Sequence, residues 1–162
     1  MVLGSEVDLS TVERCNAPID DALAQDAALV SGNKVDHTLM PATLLDRVTP
    51  AMRIFHEESF APVKAIARVQ GVEEAIAVAN DSGLGLAAAV FGRDLARAWQ
   101  VAMRVESGIC HINGPTVHDE TQMPFGGVKD SGYGRFGGKA GVGAFTELCW
   151  ITMQMMPREY PF

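Results

Sequence analysis

Apolar residues recur along this chain with three different periods, and each period marks a different kind of element. Val12, Cys15, Ile19, Ala22 and Leu23 repeat at helical spacing behind Ser10-x-x-Glu13, a capping box. Residues 10–27 are therefore predicted to form a helix, kinked at Pro18. A short apolar run at Ala28–Val30 stops at Gly32, and LMPATLL after the turn-rich NKVDH reads as a second extended segment. In VKAIARV, residues 63–69, apolar positions alternate with Lys64 and Arg68, the mark of a strand with one wet face. The period then changes. Val72, Ala75, Ile76 and Ala79 share a helical face, Glu73 and Glu74 stand in the first turn, and Asn80-Asp81-Ser82-Gly83 ends the element. AAAVF, residues 87–91, is a continuous apolar run of the kind seen where both faces of a parallel strand are covered. Asp94 opens a further helix with Leu95, Ala98, Trp99 and Ala102 on one face, and ICHI, residues 109–112, is a last short strand. Strand, helix, strand, helix, strand over 63–112 predicts a parallel sheet covered by helices, so the fold class is α/β.

Beyond residue 112 the periodicity fails. Residues 113–143 read as one long loop, longer than compact domains usually tolerate without a function. LCWITMQMM then returns to alternation, with Leu148, Trp150 and Thr152 on one side and Cys149, Ile151 and Met153 on the other. A strand this apolar needs a cover or a partner, which makes it a candidate for pairing across a subunit interface.

Composition narrows the function classes. With 48% apolar and 20% charged residues the 162-residue chain is globular rather than disordered. Its length suffices for a core without disulfides, and its net charge of −7 argues against nucleic acid or an anionic membrane as the main partner. Three cysteines at irregular spacing, Cys15, Cys110 and Cys149, fit a reducing compartment and form no CxxC pair. The acidic N-terminus lacks the pattern of a signal peptide, and the longest charge-free runs fall short of the ~18 apolar residues of a membrane helix. The cytoplasm is the expected location. Eight of the 16 glycines fall between Gly126 and Gly143, and that stretch carries Lys129, Arg135 and Lys139 against only Asp130.

Two strings match a dinucleotide fingerprint by spacing, GLGLAA at 83–88 and GYGRFG at 132–137. The fingerprint needs a strand before the glycines and a helix after them. GLGLAA has the reverse order and reads as a turn, and GYGRFG follows a loop, which favours a role other than holding phosphate. His37, His56, His111 and His118 have no companions at metal-ligand spacing, so no metal is expected. Of Glu57 and Glu58 only one can face a given site in an extended segment; a single carboxylate can accept a hydrogen bond from a sugar hydroxyl, and a solvated pair is the plain alternative.

Taken in order, EESFAPV at 57–63, NDSGLGLAAAVFGRD at 80–94, GICHIN at 108–113, PFGGVKDSGYGR at 124–135 and FTEL at 145–148 give the chain a strong resemblance to the C-terminal part of NAD(P)-dependent aldehyde dehydrogenases. The wording HINGPTVHDETQMPFGG is similar to the branch acting on aromatic aldehydes such as vanillin, benzaldehyde or salicylaldehyde. The resemblance implies an incomplete three-layer, parallel-sheet catalytic domain of that type over residues 1–147, an oligomerisation strand over 148–157 and a tail over 158–162. It also implies an oxidoreductase that turns an aldehyde into the acid with NAD or NADP.

Carried over by position, Glu58 corresponds to the family glutamate that binds the nicotinamide ribose, and Phe60 to the aromatic beside the nicotinamide. Phe125 corresponds to the loop lining the substrate tunnel, with Asn113, Val117 and His118 at its mouth, and Glu147 to a glutamate near the proton-relay water, a helix-end carboxylate being the plain alternative for it. Ala61 stands where the family usually has glycine, which puts close backbone approach there in doubt. The family's nucleophilic cysteine, its oxyanion-hole asparagine and its general base correspond to nothing in these 162 residues. None of the three cysteines stands in the nucleophile's motif, so all three read as structural and the chain alone is expected to be inactive. The expected partners are a small aldehyde and, through the last strand, another copy of the chain. Two other readings stay open: a non-catalytic oligomerisation partner of a longer enzyme, and a small nucleotide-binding module using GYGRFG.

Overall fold

The computed structural model describes residues 4–161 and divides into two compact units, one up to Gly83 and one from Leu84 onward. The first unit is organised by helix α1 (Leu9–Ala24), which buries Val12, Cys15, Pro18, Ile19 and Ala22. The helix starts earlier than the capping box predicts. Asp8, not Ser10, is the N-cap: its carboxylate accepts from the Thr11 amide at 2.8 Å and from the Ser10 hydroxyl at 2.8 Å. A carboxylate is the stronger acceptor at the positive end of a helix, and these bonds hold the Asp8 carboxyl below its ordinary range. At the other end Asp26, with φ +67°, turns the chain out of the helix before residue 27. Pro18 is accommodated within the helix, its ring packed into the core.

Strand β1 (Ala28–Ser31) pairs antiparallel with β2 (Thr43–Asp46), with a register shift between Leu29 and Ser31. β2 pairs in parallel with β3 (Val63–Ala65), Thr43 opposite Val63. Leu45, Met40, Val48, Met52 and Val63 close over Cys15 and Ile19 to complete the core. β3 is shorter than the alternation over 63–69 predicts, and beyond it the Arg68 guanidinium donates to the Asp46 carboxylate through Nε and Nη2. That guanidinium, helped by the Arg47 amide, lowers the Asp46 carboxyl to about 2. Helix α2 (Arg53–His56) is a single turn, and α3 (Gly71–Asn80) buries Ile76 and leaves Ala79 exposed.

The second unit contains a βαβ unit in which β5 (Ala87–Val90) and β6 (Ile109–Ile112) pair in parallel, Ala87 opposite Ile109 through Val90 opposite Ile112. They are joined by α4 (Leu95–Ala102), capped by Asp94, whose side chain accepts from the Arg97 amide. Of the apolar face predicted for α4, Ala98 is buried at 3% exposure whereas Leu95 and Trp99 are more than half exposed. The strand run over 63–112 is not one ladder, since β3 bonds to β2 and β5 to β6.

The long loop is also more ordered than its lack of periodicity suggests. β4 (Leu84–Gly85) pairs antiparallel with β7 (Val128–Lys129), Phe125 and Phe136 exchange two backbone bonds of 2.8 and 2.7 Å, and α5 spans Gly138–Ala144. These elements meet through backbone. A Cβ on Gly108 would lie 1.8 Å from the Gly126 carbonyl oxygen, and one on Gly126 would lie 2.6 Å from that of Gly134. Side-chain periodicity cannot report such contacts. Residues 148–156 form no ladder with any of the described residues, and Leu148, Trp150 and Ile151 stand exposed. No helix among the described residues is long and apolar enough to cross a membrane.

Two outcomes follow from this packing. Gly108→Ala is expected to destabilise the chain by more than about 2 kcal/mol in denaturant titration. Gly143→Ala, whose new methyl meets nothing within 4 Å, is expected to gain about 0.5–1 kcal/mol through helix propensity. Asp46 has its carboxyl at about 2, below its ordinary value of 3.8. Its contribution to stability is therefore complete above about pH 4 and disappears as the pH falls through about 2. Unfolding midpoints measured across that interval should rise less steeply with pH for Asp46→Asn than for the unmodified chain.

Candidate active site

In the first unit, the turn after α2 carries the two adjacent carboxylates. Glu57 is chelated by Arg53 at 2.7 and 3.0 Å, an i,i+4 pair that lowers the Glu57 carboxyl and raises the guanidinium. Glu58 has no such clamp. Both border a cleft of about 250 Å³ shared with Arg14, Ile54 and Ser59, and Glu58 is exposed at its edge. Cys15, at the floor, donates to the Ser59 carbonyl at 3.3 Å, and burial pushes its thiol up, away from the thiolate a nucleophile needs. Phe60 is 79% exposed and left-handed at φ +50°. The left-handed residue is thus Phe60 and not Ala61, which is half-buried against the core, so alanine is accommodated where the family pattern has glycine. A free carboxylate beside an exposed aromatic face suits the hydroxyls of a ribose and the flat ring attached to it.

In the second unit, a cavity of about 400 Å³ opens between β6 and the segment from His118 to Phe125. Ile109, Met123, Pro124 and Phe125 give it apolar walls; His111, His118, Asp119 and Glu120 supply the polar atoms. The His111 and His118 rings meet edge to face, with centroids 5.5 Å apart and planes at 85°, and His118 Nε2 lies 3.3 Å from Glu120 Oε1. Phe125 is fixed from behind by its two backbone bonds with Phe136. Cys110 lies on β6 in the lining of this cavity, and burial raises its thiol.

Two of the four residues assigned by resemblance to the substrate tunnel, His118 and Phe125, line this cavity. Asn113 does not. With φ +56° it turns its amide onto Gly92, donating from Nδ2 to the Gly92 carbonyl at 2.9 Å and accepting from the Gly92 amide at 2.8 Å. Its amide therefore holds the ends of β5 and β6 together. Val117 is exposed and outside the lining, as is Glu147. His111 is one of several lining residues that the sequence reading overlooks, with Ile109, Asp119, Glu120, Met123 and Pro124. The search for metal ligands asks for close companions, whereas His111 meets its partner seven positions on by ring contact; no cluster of metal-ligating side chains exists among the described residues.

The basic glycine stretch has an internal use. Arg135 donates from Nη1 to the carbonyls of Gly127 and Gly134 at 2.8 and 2.7 Å, and Lys129 pairs with Glu106 at 2.8 Å. Neither cation is available to a phosphate, which argues against the nucleotide-binding reading of GYGRFG.

The α/β chain thus carries an apolar cavity walled by Phe125 in its second unit and, in its first, the edge formed by Glu58 and Phe60. The model of the aldehyde dehydrogenase family matches residues 1–151, and the chain belongs to that family. It is 58% identical over 160 residues to a vanillin dehydrogenase of Pseudomonas fluorescens, covering 99% of this chain and 33% of that one. Among solved structures, the salicylaldehyde dehydrogenase of Pseudomonas putida G7 in complex with salicylaldehyde superposes with a TM-score of 0.93 at 46% identity, over 99% of this chain and 33% of that one. A Mycobacterium tuberculosis aldehyde dehydrogenase in complex with NAD+ gives 0.82 at 32% identity, over 90% of this chain and 31% of its own. The chain spans about a third of the length of the relatives it matches.

Removing the Asn113 amide should be felt as a structural loss. Asn113→Ala leaves the Gly92 amide and carbonyl unpaired and puts alanine in a left-handed conformation, an expected loss of about 2 kcal/mol in thermal or denaturant unfolding.

Proposed function

We propose that this chain is the substrate-lining third of an enzyme that oxidises aromatic aldehydes: aldehyde, water and NAD+ or NADP+ give the carboxylic acid, the reduced cofactor and a proton. The observation that carries the reading is the 400 Å³ cavity walled by Phe125, Met123, Pro124 and Ile109, a size and polarity suited to a small aromatic ring. The similarity to vanillin and salicylaldehyde dehydrogenases supports it.

The residues divide the work by chemistry. The backbone clasp holds Phe125 so that its ring limits where an aldehyde's ring can lie. Asp119 and Glu120 at the wall disfavour an anion, so a neutral aldehyde is accepted more readily than its carboxylate product. At the other site, Glu58 accepts hydrogen bonds from the nicotinamide ribose and Phe60 gives the ring a flat apolar neighbour. The bound nicotinamide supplies the hydride acceptor. The three cysteines supply no nucleophile: Cys15 and Cys110 are held as thiols by burial, and Cys149 lies in the exposed segment after α5. The chain alone therefore does not turn over. The alternating run over 148–157, whose apolar side chains project into solvent, supports pairing with a second copy or with a longer homologue.

The test is a hybrid in which this chain replaces the matching third of the Pseudomonas putida salicylaldehyde dehydrogenase. The isolated chain should form no NADH from salicylaldehyde or vanillin, and the hybrid should form it. Glu58→Gln in the hybrid should slow single-turnover hydride transfer by about ten-fold or more with little change in unfolding midpoint, because Glu58 is exposed and unclamped. A folded hybrid that oxidises neither aldehyde would overturn the reading.

A further inference from the structure

Two adjacent carboxylates border the cleft of the first unit, and the fold commits one of them internally. Arg53 makes that choice. Asp21 of α1 accepts from the Arg53 amide at 2.8 Å, which ties the start of α2 to a helix rooted in the core. One turn later the Arg53 guanidinium donates to both Glu57 oxygens, at 2.7 and 3.0 Å. Glu58, the next residue, is exposed at the cleft edge and receives no such clamp. An i,i+4 pair with both side chains more than 40% exposed adds little to stability. What it changes is the charge at the cleft edge. With Glu57 neutralised, the cleft presents the carboxylate of Glu58 and the guanidinium of Arg14. Without Arg53 it would present two free carboxylates on neighbouring residues. A dinucleotide carries anionic phosphates next to its ribose, so a second free carboxylate there would repel it and compete with Glu58 for the same hydroxyls.

We propose that Arg53 is a positioning residue for the cofactor: by holding Glu57 it leaves Glu58 as the single acceptor for the ribose hydroxyls and keeps the cleft edge from repelling an anionic dinucleotide. The inference rests on the cofactor reading of Glu58 above and adds the residue that makes the two carboxylates unequal. Arg53 does not line the cleft, so it acts through Glu57 rather than on the cofactor. Its planar fork suits the task, since it engages both oxygens of Glu57 at once.

The test titrates NADH into the same hybrid and follows the fluorescence of the nicotinamide, which needs no turnover. Arg53→Gln is expected to weaken NADH binding by about three-fold, the scale of one unit charge about 6 Å away in a water-like dielectric. The KM for NAD+ should rise by the same factor, with kcat and the KM for the aldehyde little changed. Two further results separate this from a structural lesion. Combining Arg53→Gln with Glu57→Gln removes the released charge and should restore NADH binding. At about 1 M salt, where the screening length is about 3 Å, the loss caused by Arg53→Gln should disappear. Unchanged NADH affinity in a folded Arg53→Gln hybrid, or a loss that neither Glu57→Gln nor salt repairs, overturns the assignment while the cofactor role of Glu58 stands. A hybrid in which Glu58→Gln leaves NADH binding unaltered removes the cofactor reading, and the role of Arg53 falls with it. Should Arg53→Gln fail to fold, Glu57→Gln alone decides. NADH should then bind at least as tightly as to the unmodified hybrid, because the freed guanidinium adds attraction, and a loss of affinity overturns the assignment.

Discussion

The second unit depends on one steric constraint, the near-contact of the Gly108 and Gly126 backbones. A carbonyl oxygen 1.8 Å from where a Cβ would stand leaves no room for any side chain. Everything that shapes the cavity is downstream of that approach: the β4–β7 pairing, the Phe125–Phe136 exchange and the two carbonyls gathered by Arg135. Gly108 and Gly126 are 18 positions apart and Leu84 pairs with Lys129, 45 positions on, so the clasp rests on non-local contacts and carries their loop-closure cost. The first unit depends on a conventional core instead, with one helical stripe from Val12 to Ala22 packed over β2 and β3.

This difference decides what can be read from residue order. Periodicity located helices α1, α3 and α4 and every strand from β1 to β6 except the two-residue β4, because in those elements side chains meet side chains; the single turn α2 is too short to show a period. It missed β7, α5 and the Phe125–Phe136 exchange, where glycines let backbone meet backbone and leave no pattern of apolar positions. The first helix boundary shifted where a local polar bond outcompeted the pattern: Asp8 took the cap from Ser10. Leu95 and Trp99 carry the spacing of a buried face yet stand in solvent, since spacing records that a face is apolar and not what covers it.

The candidate site was legible in a similar proportion. Phe125 and His118 were reached through motif resemblance and do line one cavity, and Glu58 proved to be the unclamped member of its pair. Asn113 stands outside that lining, and its reciprocal amide bond with the Gly92 backbone could not be read from the sequence because it depends on two strand ends lying side by side. His111 was visible as a histidine but not as a lining residue. Its ring contact with His118 is a property of three-dimensional packing, and nothing in the string HINGPTVH announces it.

The bonds that hold Phe125 in the cavity wall belong to its main chain and to that of Phe136. Those two bonds do not depend on which side chain the position carries. Fold and selectivity are therefore separable at this position: a lineage could exchange the Phe125 side chain for a smaller or more polar one and present a differently shaped pocket on an unchanged frame. Gly108 and Gly126 have no such freedom, so variation in this region should accumulate on the face turned toward the ligand and be suppressed on the face turned toward the backbone.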